Sequence, residues 1–230
     1  MKDTLPVSKE NYLKAILEAE AEGHAVIPAL LAHWLEVSAP AVTMSLKRLK
    51  RDGYVAVGAD GLVRLTVTGR EMAYRTALRH HLIERMLSEI FGMEWSAIHE
   101  EAERLEHAVS PAFEAHLLDK LGGEGICPHG NAALPKNIIE RRRRGDLPLN
   151  EAHSGKDYVV ISLQERDSRV LQELYSAGIN PELIVRVVSR NFDETVTIET
   201  PRGSATLGRP AAKAVWLRLS NPPIGSDGMV

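Results

Sequence analysis

The stretch SAPAVTMSLKRLKRDGYVAVGADGLVRL, from Ser38 to Leu65, decides the fold. Ser38 suits a helix N-cap, and Pro40 suits the first turn, where a missing N–H leaves no bond unmade. The helix they open runs through KRLKR (Lys47 to Arg51) and stops at Gly53. Tyr54-Val55-Ala56-Val57 and Leu62-Val63-Arg64-Leu65 then flank the turn Gly58-Ala59-Asp60-Gly61, the pattern of a β-hairpin. Upstream, Ser8 is read as the cap of a helix to about Glu22, with Tyr12, Leu13, Ile16 and Leu17 at helical spacing, ended by Gly23. A short helix follows from Ile27 to Leu35, with Pro28 in its first turn and Glu36-Val37 as the turn beyond it. Three helices and a hairpin in that order predict a winged helix-turn-helix.

The charge of this segment gives the prediction chemical content. Between Glu36 and Arg70, six basic residues (Lys47, Arg48, Lys50, Arg51, Arg64 and Arg70) stand against Glu36, Asp52 and Asp60. A basic run is most often only a solvated helix face, but this one closes a recognition helix and is followed by Arg64 in the wing, which points to DNA. The residues expected at the DNA are Ser38, Ala39, Pro40, Thr43, Met44, Ser45, Lys47, Arg48, Arg51 and Arg64. The early positions are small or apolar, so they offer few bidentate contacts to bases. Phosphate contacts and DNA shape should therefore matter as much as direct readout.

Downstream the pattern is helical to about Leu121. One long helix is predicted from Thr68 to about Phe91, broken by Gly92. A second is capped by Ser96 and runs to about Ala108, and a third starts at Ser110-Pro111. Ala73, Ala77, Ile83, Met86, Leu87 and Ile90 give the first an apolar stripe, and burying it predicts a homodimer. The same helices read HHLIERMLSEIFGMEWSAIHEEAERLEHAVS from His80 to Ser110. His80 and Glu84 are four apart, as are His99, Glu103 and His107, with Glu106 alongside; such residues share a helix face. Surface salt bridges with core histidines are the bland alternative. Six nitrogen and oxygen donors at this spacing favour a divalent transition metal.

Residues 122–156 are read as irregular, with Cys127 and His129 in a structural loop and Arg141 to Arg144 as a solvated run in a linker. Beyond them period-two segments at Tyr158–Ile161, Leu183–Val187, Thr195–Ile198 and Val215–Leu217 predict a small barrel. A helix is expected from Asp167 to Ala177, ended by Gly178, and the tail SNPPIGSDGMV is expected to be disordered. The domain boundaries follow as 1–72, 73–145 and 156–220.

Over the whole chain of 230 residues, 44% hydrophobic and 26% charged content is that of a globular protein, long enough for two or three small domains. A net charge of -3 excludes a protein basic throughout, so any DNA contact must be a local patch. The single Cys127 excludes an internal disulfide framework and fits a reducing compartment. No apolar run is long enough for a membrane span, and the N-terminus has no signal-peptide core, so a cytoplasmic location is expected.

SKENYLKAI, the helix start Ser38-Ala39-Pro40, LTVTGR, RHHLIERML, IHEEAERLEH and CPHGN together resemble the diphtheria toxin repressor and manganese transport regulator (DtxR/MntR) family of metal-dependent repressors. The E-x-x-E-H pattern of Glu103, Glu106 and His107 is its most specific motif. The resemblance implies a mainly α fold with a small β domain: a winged helix-turn-helix, a helical dimerisation domain carrying the metals, and a C-terminal SH3-like barrel of the FeoA kind. It implies one ligand set at His80, Glu84 and His99, and another at Glu103, Glu106 and His107, completed from position 11. Gln164 and Glu165 match the place where the C-terminal domain adds ligands.

Iron-type members have cysteine where this chain has Glu103 and methionine where it has Asn11. Oxygen in place of sulfur favours Mn(II), with Fe(II) the alternative. Manganese-type members carry carboxylates at Asn11 and Lys14. Lys14 cannot ligate, so the first helix is expected to be held more weakly, with Glu10 as a further donor. The function implied is a DNA-binding repressor, not an enzyme, that acts as a homodimer on metal-uptake genes. The rivals are a winged-helix regulator indifferent to metal and a di-iron-type oxidase, which helical histidine and carboxylate columns can also build.

Overall fold

Helix α1 (Val7–Ala21) buries the apolar face legible in its sequence, with Leu13 and Ile16 fully enclosed. The computed structural model describes residues 7–220; the tail expected to be disordered, apart from Ser220, lies outside them. Ser8 sits inside α1 rather than capping it. Helices α2 (Pro28–Trp34) and α3 (Ala39–Arg51) bring Leu31, Val42, Leu46 and Leu49 to the same core. Ser38 caps α3, its Oγ accepting from the Ala41 N–H at 3.4 Å. Strands β1 (Val55–Val57) and β2 (Val63–Leu65) pair antiparallel, and Val55, Val63 and Leu65 close the core. This is the winged helix-turn-helix that the order of elements predicts.

Helix α4 (Val67–Arg85) begins one residue earlier than Thr68, because Thr66 is its cap. The Thr66 hydroxyl accepts from the Gly69 N–H at 3.0 Å and donates to the Gly53 carbonyl at 2.7 Å. Gly69 passes so near the hairpin that a Cβ there would lie 1.9 Å from the Tyr54 carbonyl oxygen. The predicted long helix changes character at Met86–Ile90, where the turn is π-helical. Helix α5 spans Trp95–Leu105, so Ser96 lies within its first turn and is not the cap. Helix α6 (Pro111–Leu121) is capped by Ser110 as expected. Residues up to 93, with 100–127 and 132–140, form one compact unit.

The second unit comprises residues 94–99, 128–131 and, among the described residues, 141–220. Its six strands are β3 (Asp146–Pro148), β4 (Asp157–Leu163), β5 (Ile184–Arg190), β6 (Val196–Thr200), β7 (Gly203–Leu207) and β8 (Val215–Leu219). They form one antiparallel sheet in the order β3-β8-β4-β5-β6-β7, with register shifts at Val160/Ser162 and Val187/Ser189. Alternate residues (Tyr158, Val160; Val185, Val187; Val196, Ile198; Val215, Leu217) face a core shared with Leu171 and Leu174 of helix α8. Helix α7 covers Ile138–Arg143, α8 Ser168–Ser176 and α9 Arg209–Ala214.

The segment read as irregular therefore holds α7 and β3, besides a 3-10 turn at Leu149–Glu151. Of its arginines, Arg142, Arg143 and Arg144 are exposed as expected, but Arg141 is half-buried. Arg141 lies over the Trp216 ring at 4.7 Å and donates to the Ser162 hydroxyl at 2.8 Å, while Arg142 pairs with Glu151. Gly130, at φ 81°, lies where a Cβ would come within 2.3 Å of the Ile161 carbonyl oxygen.

Helix propensity alone would make Gly69→Ala stabilising by up to about 1 kcal/mol. The approach to Tyr54 reverses the sign: a destabilisation of about 1–3 kcal/mol is expected from overpacking. Chemical denaturation of the variant beside the parent chain distinguishes the two.

Candidate metal centre

Three stretches of the first unit bring charge together. Helix α1 supplies Glu10, Asn11 and Lys14, and α4 supplies Arg79, His80 and Glu84. Glu106 and His107 come from the turn that follows α5, not from the helix as predicted. A bond from the Glu106 N–H to the Ala102 carbonyl at 2.9 Å keeps them close to the helical line.

At the centre is Lys14, read from the sequence only as a lost ligand. Its buried ammonium donates to both Glu106 carboxylate oxygens, at 3.1 and 2.9 Å, and lies 4.0 Å from Glu103. The first helix is thus tied to the turn after α5 by a buried ion pair, a contact that reading Lys14 only as a lost ligand does not anticipate. His80 Nδ1 lies 2.6 Å from the other face of the pair, at Glu106 Oε2, and His80 Nε2 lies 3.1 Å from Glu84 Oε1. The Lys14 ammonium also approaches His80 Nδ1, at 3.3 Å.

The titration of the group follows. Burial works against the charge on Lys14, but Glu106, Glu18 and Glu103 outweigh it and hold its pKa above the ordinary lysine value. Burial and Lys14 both oppose a charged His80, yet Glu84 and Glu106 raise its pKa. Burial also opposes ionisation of Glu106, but His80 and Lys14 lower its pKa from 4.5 to about 2. To bind a metal, His80 must first give up the proton that these carboxylates favour, so ion and proton compete.

Beside this group, His107 Nδ1 lies 2.8 Å from Glu10 Oε2, and Arg79 lies 3.5 Å from the same carboxylate. Arg79 also donates to the Glu114 carboxylate and to the Glu106 carbonyl. Two buried polar atoms there lack a hydrogen-bond partner: Asn11 Oδ1 and His107 Nε2. Glu106 Oε1 is 3.3 Å from His107 Nε2, an ion-pair distance without the alignment of a hydrogen bond. A buried carbonyl oxygen and an imidazole nitrogen without hydrogen-bond partners are donors that suit a hard divalent cation.

The second unit has a cluster of its own. His99 Nδ1 lies 3.4 Å from one Glu165 oxygen, and His129 Nδ1 lies 3.3 Å from the other. His129 is fully buried, with Nε2 2.8 Å from the Trp95 carbonyl; Asn131 also donates to Glu165. Burial opposes the Glu165 charge, but His129 and His99 hold its pKa well below the usual value. Gln164 is fixed by its main chain, whose N–H donates to the Ala214 carbonyl. The assignment of His129 to a structural loop missed this role. Its partners come from distant segments, and only the CPHGN motif signalled them.

On α3 the buried Val42, Leu46 and Leu49 leave Pro40, Thr43, Met44, Lys47, Arg48 and Arg51 exposed on the rest of the helix, with Ser45 half-buried. In the wing, Arg64 is held by Asp60 through two hydrogen bonds, which lower the Asp60 pKa to about 2.

Residues 4–61 match the family model "Iron dependent repressor, N-terminal DNA binding domain", residues 66–135 "Iron dependent repressor, metal binding and dimerisation domain", and residues 147–219 "FeoA domain". A diphtheria toxin repressor of Corynebacterium efficiens is 37% identical over 206 residues, covering 86% of this chain and 89% of that protein. Another, of Corynebacterium glutamicum, is 31% identical over 209 residues, covering 86% and 90%. The chain belongs to the diphtheria toxin repressor family. Its members are DNA-binding repressors rather than enzymes, which removes the oxidase reading.

The iron-dependent repressor IdeR of Mycobacterium leprae is 30% identical, covering 90% of this chain and 94% of that one. Among solved structures, a manganese-dependent transcriptional repressor in complex with manganese superimposes with a TM-score of 0.79 at 30% identity, covering 92% of this chain and all of that one. The manganese regulator SloR gives 0.75 at 26%, covering 92% and 98%. The repressor fold of the family, with its FeoA-type sheet domain, is the fold described above.

Without metal, Glu106 contributes stability that is present above about pH 4.5 and is lost as the pH falls toward about 2. His80, with its pKa raised from 6.5, contributes below that pH and loses its contribution as the pH rises through its folded value. Glu106→Gln should therefore remove an acid limb of about 3 kcal/mol from the stability-versus-pH curve of metal-free protein. Urea unfolding between pH 2.5 and 7 checks this.

Proposed function

We infer that this chain is a metal-responsive transcriptional repressor, acting as a homodimer on operator DNA, with Mn(II) the favoured ion and Fe(II) the alternative. The observation that carries the reading is the convergence of Glu10 and Lys14, on the first helix of the DNA-binding domain, with Glu103, Glu106 and His107 at the end of α5. A cation held there would supply positive charge between carboxylates that otherwise repel. That would hold the DNA-binding helices in one position relative to the dimerisation helices. Two recognition helices set about 34 Å apart, or a multiple of it, then match successive major grooves. Metal and DNA would each tighten the other's binding by the same factor.

As ligands we propose two sets. Glu103, Glu106 and His107, with Asn11 and Glu10 from the first helix, form one. His80, Glu84 and His99 form the other, with Glu165 a donor from the C-terminal domain and Gln164 near it. The His80–Glu84 pair on one helix and the His99–Glu165 pair in the second unit support this second set. Oxygen donors at Asn11 and Glu103 support manganese, as do structural relatives described as manganese-dependent. Ser38, Ala39, Pro40, Thr43, Met44, Ser45, Lys47, Arg48, Arg51 and Arg64 are the proposed DNA face. The exposed side of α3 and the neighbouring wing support it.

The proposed domain limits are 1–72, 73–145 and 156–220. Cytoplasmic metal-uptake regulation is the proposed setting; among the described residues no helix is long and apolar enough to cross a membrane.

Fluorescence anisotropy of a labelled operator, selected from genomic DNA and titrated with Mn(II) or anaerobic Fe(II), tests the reading. Binding should require metal, and His107→Ala should raise the metal midpoint by about 10–100-fold. Binding that ignores metal in both proteins would leave a winged-helix regulator that is not metal-gated. In the same assay Asp60→Asn, by releasing Arg64, should tighten binding and steepen the salt dependence by about one phosphate contact.

A further inference from the structure

Helix α3 carries its exposed side chains in a stripe of two chemistries. Val42, Leu46 and Leu49 are buried, and on the opposite face Pro40, Met44, Lys47 and Arg51 follow at spacings of four, three and four residues. The second half of this stripe is cationic, with Arg48 and Lys50 beside it; the first half is apolar. Met44 is the one large apolar side chain of α3 that is exposed, at 52%. We propose that Met44 is the specificity-determining residue of this helix, and that it reads the C5 methyl group of thymine in the major groove. The inference rests on the DNA-binding repressor reading above and deepens it, because it names the base feature recognised.

The chemistry of the helix start supports this assignment. A recognition helix brings its N-terminal residues to the base edges. From Ser38 to Leu46 this one has no Arg, Lys, Asn, Gln, Asp or Glu. The side chains that pair with guanine or adenine through two hydrogen bonds are therefore missing where they would act. The hydroxyls of Ser38 and Thr43 are engaged within the helix. Ser38 Oγ accepts from the Ala41 N–H at 3.4 Å, and Thr43 Oγ1 donates its proton to the Ala39 carbonyl at 3.0 Å. Ser45 is half-buried.

What remains at the centre of the face is a thioether. The thymine methyl is the apolar group that base pairs present in the major groove. An unbranched side chain with three rotatable bonds packs against it without demanding one geometry. Met44 lies about 10 Å along the helix axis from Arg51. One docking can thus put the sulfur-bearing side chain on a base edge and the guanidinium on the backbone. The basic residues supply affinity without reading sequence; Met44 supplies the discrimination.

The test uses the full-length protein with Mn(II) and a labelled operator fragment selected from genomic DNA. Thymines of one half-site are replaced by uracil one at a time, which removes the methyl group and keeps the base pairing. One position should lose about four-fold in affinity with the parent protein, the effect of one methyl group no longer buried. The same replacement should change nothing for Met44→Ala, which should bind the unmodified operator as weakly as the parent binds the uracil one. Lys47→Ala should weaken binding to every fragment alike and keep the four-fold effect. The inference is overturned, and the repressor reading left intact, by any of three results: no position at which uracil matters, a loss that persists in Met44→Ala, or a loss that Lys47→Ala also abolishes. A parent that selects no operator with Mn(II) or Fe(II) would remove the repressor reading and the inference with it.

Discussion

The buried contact between Lys14 and Glu106 is the constraint on which the first unit depends. It joins residues 92 positions apart and places a cation, a carboxylate and the His80 imidazole within hydrogen-bond reach of one another. Each of these charges would be costly to bury alone; together, with Glu84 beyond His80, they offset most of that cost. The geometry also couples elements. Lys14 is on the helix that packs the winged domain's core, His80 is on α4, and Glu106 ends α5. A change in charge at any one of them acts on the other two.

On the proposed reading, this arrangement would put protons, an ammonium and divalent ions in competition for the same oxygens. Such competition is what a sensor requires, since a two-position element is shifted only by ligands that interact differently with its two states. In this chain the first helix is anchored at Lys14 but has donors in hand at Glu10 and Asn11. On the proposed reading a metal would complete a joint that the Lys14–Glu106 pair already half makes. The cluster of His99, His129 and Glu165 has the same character in the second unit, where a buried carboxylate is kept ionised by two imidazoles.

Much of this was legible in the sequence, for identifiable reasons. Ser38, Pro40 and Gly53 bracket α3, and the valines around Gly58–Gly61 announce the wing, because caps and turns are local chemistry. The histidines and glutamates between His80 and His107 were visible as donors from their spacing. Their mutual arrangement was not. Spacing shows that Lys14 cannot be a ligand, yet the reach of its side chain to Glu106 depends on how α1 packs. The same is true of His129, whose partners Trp95 and Glu165 lie 34 and 36 residues away in sequence. Strand β7 (GSATL) buries only Leu207, and half of α9 (RPAAKA) is alanine, so neither carries the periodicity by which strands and helices are recognised.

The claim at the centre of this account concerns where charge sits around Glu106 when metal is present. Anomalous scattering from crystals of the Mn(II)-loaded protein, collected on the two sides of the manganese absorption edge, locates the ions directly. A peak among Glu10, Asn11, Glu103, Glu106 and His107 is the result predicted. Ions found only away from these residues would contradict it.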